Sequence, residues 1–210
     1  DRWRLPNGEG CKNYLEDISQ IKKLMTESSK FLVFTTGLSG IFSGLFAILG
    51  MGYIYFLVDG KVNDIQELTT LYTSKIVIVL VIVLTLSTVT TFILTRKNAK
   101  ATNEHPWNPI AKKMVFNFYV VGTLGSAYLL ILFFQDKYDA IVELMLIFYG
   151  MALLSGSKYT FDQIKPLAYI QIALGLVCAL FAAHDFWFWV IGFGFVNLIY
   201  GSIMYFRYGK

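Results

Sequence analysis

The stretch Phe31–Val58 constrains the fold of this chain more than any other part of its sequence. It holds 28 consecutive residues without a charged side chain, whereas a helix needs only about 20 apolar residues to cross a bilayer. Because residues four apart stack on one helix face, its small residues form two neighbouring rows. The rows are Thr36, Gly40 and Gly44, and Ser39, Ser43 and Ala47. The Gly40-xxx-Gly44 spacing permits close approach of a second helix in lipid, so we predict a helix-packing face here.

The remaining apolar runs predict a polytopic membrane protein. Of the 210 residues, 56% are hydrophobic and the mean hydropathy is +0.56. A bilayer admits only helices or closed barrels, and a run such as IVIVLVIVL does not alternate as a barrel strand would. We therefore expect an all-α bundle of six transmembrane helices that forms one domain over residues 31–210. The expected spans are 31–58, 76–95, 114–134, 139–156, 164–183 and 186–206.

The basic residues predict the orientation of this bundle. Of the 18 Lys and Arg residues, 15 fall in the N-terminal arm, the second and fourth loops and the C-terminus, and 3 fall in the other loops. The positive-inside rule then places both termini in the cytoplasm. Residues 1–30 are expected to form a cytoplasmic arm and an amphipathic lead-in helix, since apolar residues from Leu15 to Met25 follow helical spacing. That helix either lies on the inner leaflet or is only the cytoplasmic lead-in of the first span, docked on its neighbours.

The sequence offers no pattern for metal, cofactor or catalytic chemistry within the spans. Haem ligation needs histidines there, but both histidines, His105 and His184, fall in expected loops. Two cysteines are too few for an iron–sulfur cluster, and neither HExxH nor a P-loop occurs. We expect no catalytic residue, no cofactor, no metal and no nucleic-acid partner. An enzyme acting on lipid head groups or acyl chains from the loops ranks below the other possibilities.

Neutral polar residues recur from the expected bilayer centre to the inner surface. They are Thr85, Thr88, Thr91, Asn117, Gln171 and Asn197. One interpretation is a small vestibule open to the cytoplasm. The other is that each side chain hydrogen-bonds between helices, for about 0.6 kcal/mol apiece, or, for the threonines, bonds back to its own helix.

Glu143 is the one acid within an apolar run. Charged groups inside membranes are costly and often functional, so Glu143 is a candidate ion or proton site. Its expected position within one turn of the outer surface gives the alternative, a side chain that simply reaches water.

Several segments carry a family resemblance. They are EDISQIKKLMTESSKF with GLSGIFSGLFAILG, LIFYGMALLSGSKYTFDQIK, and FWVIGFGFVNLIYGSIMYFRY. From about Glu16 to its end the chain resembles a family of uncharacterised six-span bacterial inner-membrane proteins. The resemblance implies six spans in a bacterial inner membrane, and it implies no activity, cofactor or catalytic residue.

Together these features favour a non-enzymatic integral membrane protein that acts as an accessory or scaffold subunit of a larger inner-membrane assembly. Its expected partners are the lipid bilayer and either other membrane subunits or further copies of itself. The alternative is a small transporter or channel that passes a neutral or weakly charged solute through the polar vestibule.

Overall fold

The computed structural model is a bundle of helices with no strand among the residues that it describes. These residues are 37–57, 65–102, 109–138, 140–158, 164–181 and 184–208. The expected all-α fold class is therefore confirmed. The expected N-terminal arm, its lead-in helix and Thr36 lie outside the described residues.

The helices follow one another along the chain. They are α1 (Gly37–Leu57), α2 (Ile65–Thr102), α3 (Pro109–Phe134), α4 (Ile141–Ser157), α5 (Lys165–Leu180) and α6 (Asp185–Trp189). α6 continues through a π-helical segment, Val190–Val196, into α7, Asn197–Tyr208. We call α6, the π segment and α7 together the last span.

Four helices are long and apolar enough to cross a membrane. They are Gly37–Leu57, Lys75–Lys97 within α2, Lys112–Phe134 within α3, and Asp185–Arg207 in the last span. Their positions match four of the expected spans. α4 and α5 are apolar but shorter, with 17 and 16 residues. At 1.5 Å per residue α5 is about 24 Å long, less than a hydrocarbon core of about 30 Å.

α2 is longer than the sequence pattern predicts. A span over 76–95 was expected, with a loop on either side, but one helix of 38 residues runs from Ile65 to Thr102. No glycine or proline occurs between these residues. Since each added residue gains one more backbone hydrogen bond once a helix has formed, the polar flanks continue the helix beyond the apolar run.

Small residues bring α1 and the last span to backbone distance. A Cβ atom built on Gly44 would lie 2.7 Å from the carbonyl oxygen of Gly194, and one on Gly201 would lie 2.6 Å from that of Gly37. Any side chain larger than hydrogen would therefore force the backbones apart. The start of α1 lies beside the end of α7, so the two helices are antiparallel and residues 37 and 204 share one end of the bundle.

The other helices are arranged around this crossing. α2 packs on α1, where Gly50 lies against Val83. α4 contacts the last span, α3 and α5. α4 and α5 form a second close crossing, in which a Cβ on Gly150 would lie 2.8 Å from the oxygen of Ala168, and a Cβ on Gly175 the same distance from the oxygen of Glu143.

A tight turn joins α3 to α4. Asp136 has a φ angle of 56°, in the left-handed region that Asp tolerates better than most residues. The hydroxyl of Tyr138 donates a hydrogen bond to Oδ1 of Asp136, with 2.9 Å between the oxygens. That bond to a carboxylate raises the pKa of Tyr138 above its ordinary value.

The α1 crossing predicts different effects for neighbouring glycine substitutions. Gly44→Ala and Gly201→Ala should each lower the free energy of unfolding by about 1–3 kcal/mol, because the new methyl group overlaps backbone atoms that cannot rotate away. Gly40→Ala is the matched control, since its Cβ would meet the oxygen of Asn197 at an ordinary 3.4 Å. Unfolding in mixed detergent micelles, followed by tryptophan fluorescence, measures the difference. Equal losses for Gly40→Ala and Gly44→Ala would contradict the crossing.

Candidate functional site

A partly enclosed cavity of about 70 Å³ lies where α1, α4, the start of α5 and α7 meet. Twelve of the described residues line it, and none of these twelve carries a charge. They are Gly37, Ser39, Gly40, Ser43, Tyr149, Leu153, Ile164, Leu167, Asn197, Tyr200, Gly201 and Met204. The described residues therefore contribute four hydroxyls and one carboxamide as the polar side-chain groups of the wall.

Helical spacing places the polar residues of the cavity wall. Ser39 and Ser43 are four residues apart, so they share one face of α1 beside the glycine row. Asn197 and Gly201 have the same spacing on α7. Because Gly40 and Gly201 have no side chains, the helices meet closely here while the larger groups beside them leave a gap.

Asn197 links two sides of the cavity by hydrogen bonds. The Tyr149 hydroxyl on α4 donates to Oδ1 of Asn197 over 3.3 Å, and Nδ2 of Asn197 donates to the carbonyl oxygen of Phe193 over 3.2 Å. A carboxamide has two N–H donors and two acceptor lone pairs. These two bonds therefore use half of the hydrogen-bonding capacity of Asn197. On α1, the Ser43 hydroxyl donates to the carbonyl oxygen of Gly40 over 3.1 Å and can still accept a bond.

Gln171 lies in a different part of the interior. Its side chain is fully buried, and Nε2 donates to the carbonyl oxygen of Gly192 over 2.8 Å. Gly192 belongs to the π segment, and a Cβ there would overlap the side chain of Leu146. Oε1 of Gln171 has no hydrogen-bond partner among the described residues. Gln171 thus joins α5 to the π segment. Such segments occur frequently at functional sites in proteins.

The threonines and Asn117 hydrogen-bond within their own helices. The hydroxyls of Thr85, Thr88 and Thr91 donate to the carbonyl oxygen four residues earlier, over 2.7–2.8 Å. Nδ2 of Asn117 donates to the carbonyl oxygen of Lys113 over 2.8 Å. Thr85 and Thr88 are exposed on the outer surface of the described bundle.

The structure therefore does not gather the six expected vestibule residues into one site. Of the six, Asn197 alone lines the cavity. Residue counting gives the height of each side chain in the membrane, but it does not give the direction in which the helix presents it. Because α2 lies at the edge of the bundle, its threonine stripe does not reach the interior.

Glu143 is half-buried in the first turn of α4. The more deeply buried acid is Asp185, 4% exposed, in the first turn of α6 at the same end of the bundle. The thiol of Cys178 donates to Oδ1 of Asp185, with 3.3 Å between sulfur and oxygen. Acids are favourable at helix N-termini, where backbone N–H groups are partly positive. Among the described residues no group of three His, Cys, Asp or Glu side chains converges in a metal-binding arrangement.

Sequence reasoning overlooked two tyrosines and one glycine of the cavity. Tyr149 and Tyr200 lie inside apolar runs of the sequence. A buried tyrosine usually turns its hydroxyl towards a polar partner, so these two residues could have indicated a polar site in the interior. Gly37 gave no comparable signal. It lies one residue outside the four-residue rows, yet it contacts the last span directly.

Comparison with family models, curated proteins and solved structures gives no match. The resemblance noted for the sequence therefore stays a prediction, and the cavity has to be interpreted from its own geometry.

Two substitutions compare how much an interior polar group and an exposed one contribute to the stability of the fold. Asn197→Leu removes two hydrogen bonds and should lower the free energy of unfolding by about 1–2 kcal/mol, at about 0.6 kcal/mol or more for each bond in a membrane protein. Thr88→Val removes only a bond to its own helix on an exposed face, so it should change stability by less than about 0.5 kcal/mol. Micelle unfolding of both variants tests this. A larger loss for Thr88→Val would show that α2 has a polar neighbour.

Proposed function

We propose that this chain is a non-enzymatic integral membrane protein that serves as an accessory or scaffold subunit of a larger assembly in a bacterial inner membrane. α2 is the observation that carries the proposal. No residue of its membrane-crossing part, Lys75–Lys97, is buried in the chain. At 38 residues the helix is about 57 Å long, well beyond a hydrocarbon core of about 30 Å.

The close-packing surfaces support the same proposal. The glycine faces of α1 and the last span are used against each other, and α4 and α5 use theirs in the second crossing. A partner subunit would therefore meet the outer helices, α2 and α3. Their exposed large apolar side chains include Leu84 on α2 and Leu124 on α3. Lipid alone is the competing occupant of these surfaces.

The proposed topology has six spans with both termini in the cytoplasm. The antiparallel pairing of α1 with the last span is compatible with it, because it sets the start of the first span and the end of the last at one end of the bundle. The distribution of basic residues supports the cytoplasm as the side of that end. α4 and α5, being short, would cross with polar flanking turns or with local thinning of the bilayer.

Site-specific photo-crosslinking in native membranes tests the accessory role. A benzophenone amino acid at Leu84, 69% exposed on α2, should give one defined adduct whose second polypeptide is identified by peptide mass spectrometry. The same probe at Leu180, 78% exposed at the end of α5, is the matched control and should give no such adduct. Lipid adducts alone at Leu84, or the same set of proteins at both positions, would contradict the proposal.

A further inference from the structure

We propose that the cavity between α1 and α7 is a binding site for one small neutral solute that both donates and accepts hydrogen bonds, of the size and chemistry of urea. This inference is independent of the accessory role, because it rests only on the lining, the volume and the hydrogen bonds of the cavity.

The lining determines the charge of the occupant. None of the twelve described residues that line the cavity is charged, and an ion taken from water into contact with them would lose its hydration without gaining an opposite charge. A neutral solute has no comparable penalty. The cavity therefore favours an uncharged molecule over an ion of the same shape.

The polar groups determine its hydrogen bonding. Asn197 can still offer one N–H and one acceptor lone pair beyond its bonds to Tyr149 and Phe193. The Ser43 hydroxyl, which donates to Gly40, can accept. A molecule that both donates and accepts can use the remaining hydrogen-bonding capacity of both groups, whereas a purely apolar molecule would leave that capacity unused.

The volume determines its size. About 10–15 Å³ of water-accessible volume is enough to hold one water molecule, so a cavity of about 70 Å³ by that measure has room for a few waters or for one solute of a few non-hydrogen atoms. An upper limit on binding free energy per non-hydrogen atom implies that a four-atom solute binds no more tightly than tens of micromolar. Binding should therefore be sought at millimolar concentrations of solute.

Cysteine accessibility in the full chain, reconstituted in lipid nanodiscs, tests the site. Ser43→Cys places a near-isosteric thiol in the cavity wall, where its sulfur is a weak hydrogen-bond acceptor in place of the hydroxyl. Asn197 keeps its own groups in this variant, and the reaction of the thiol with the small neutral reagent methyl methanethiosulfonate is followed by peptide mass spectrometry. This thiol should react at least tenfold faster than those of two control variants on α1. Ala47→Cys is buried in packed helices, and Leu45→Cys is exposed on the apolar surface at nearly the same depth.

Protection by added solute then identifies the class of occupant. Urea at about 100 mM, well above the affinity limit, should slow the labelling of the Ser43→Cys variant at least threefold. Guanidinium chloride at the same concentration, whose cation has the same shape, should leave that labelling unchanged. Adding Asn197→Leu should abolish the protection while labelling continues. Adding Gly40→Ala, whose methyl group is sterically tolerated at the cavity wall, should weaken the protection even if Asn197→Leu fails to fold.

Three results would overturn the proposal. If the thiol of Ser43→Cys is as unreactive as the thiols of Leu45→Cys and Ala47→Cys, the cavity is closed and dry. If it reacts but urea gives no protection, the cavity holds water only. If guanidinium protects as well as urea, the site does not select a neutral occupant.

Discussion

The backbone contact between α1 and the last span is the constraint on which the other packing depends. Gly44 and Gly201 meet carbonyl oxygens at distances that exclude any side chain. Another side of the last span then packs on α4, and another side of α1 packs on α2. Lipid supplies no hydrophobic force between helices, so van der Waals contact at such close range, with a few hydrogen bonds, is what holds a bundle of this kind together.

The same contact explains why the interior and the exterior of the bundle differ. Inside the bundle, the small-residue faces of α1 and the last span pack against each other, and so do those of α4 and α5. The larger side chains beside the first of these crossings leave the cavity next to Asn197, whose described lining residues are uncharged. Outside, α2 has an apolar surface that no part of the described chain covers. Its threonine hydroxyls bond to their own helix and so leave that surface compatible with lipid or with a second protein. The proposed role follows from this division.

The sequence predicts the local properties of this chain well and its three-dimensional relations poorly. The fold class and four spans follow from the length and composition of apolar runs, and the glycine spacing identifies one face of α1. The helix that packs on that face lies about 150 residues further along the chain. The spacing of small residues within α1 does not indicate which helix that is. The polar vestibule illustrates the same limit, since Thr85 and Asn197 have suitable depths but lie on helices that present them in different directions. The deep burial of Asp185 depends likewise on its neighbours, not on its place beside a loop.

The most direct test of the accessory role is the mass of the native particle, released from the membrane in a mild detergent or in polymer-bounded nanodiscs and measured by native mass spectrometry. The accessory role predicts a particle that contains one or more other polypeptides in a fixed ratio to this 23.9 kDa chain. A mass equal to that of the chain, or to an integer multiple of it, with only lipid bound, would contradict the proposal that the outer face of α2 docks a different subunit.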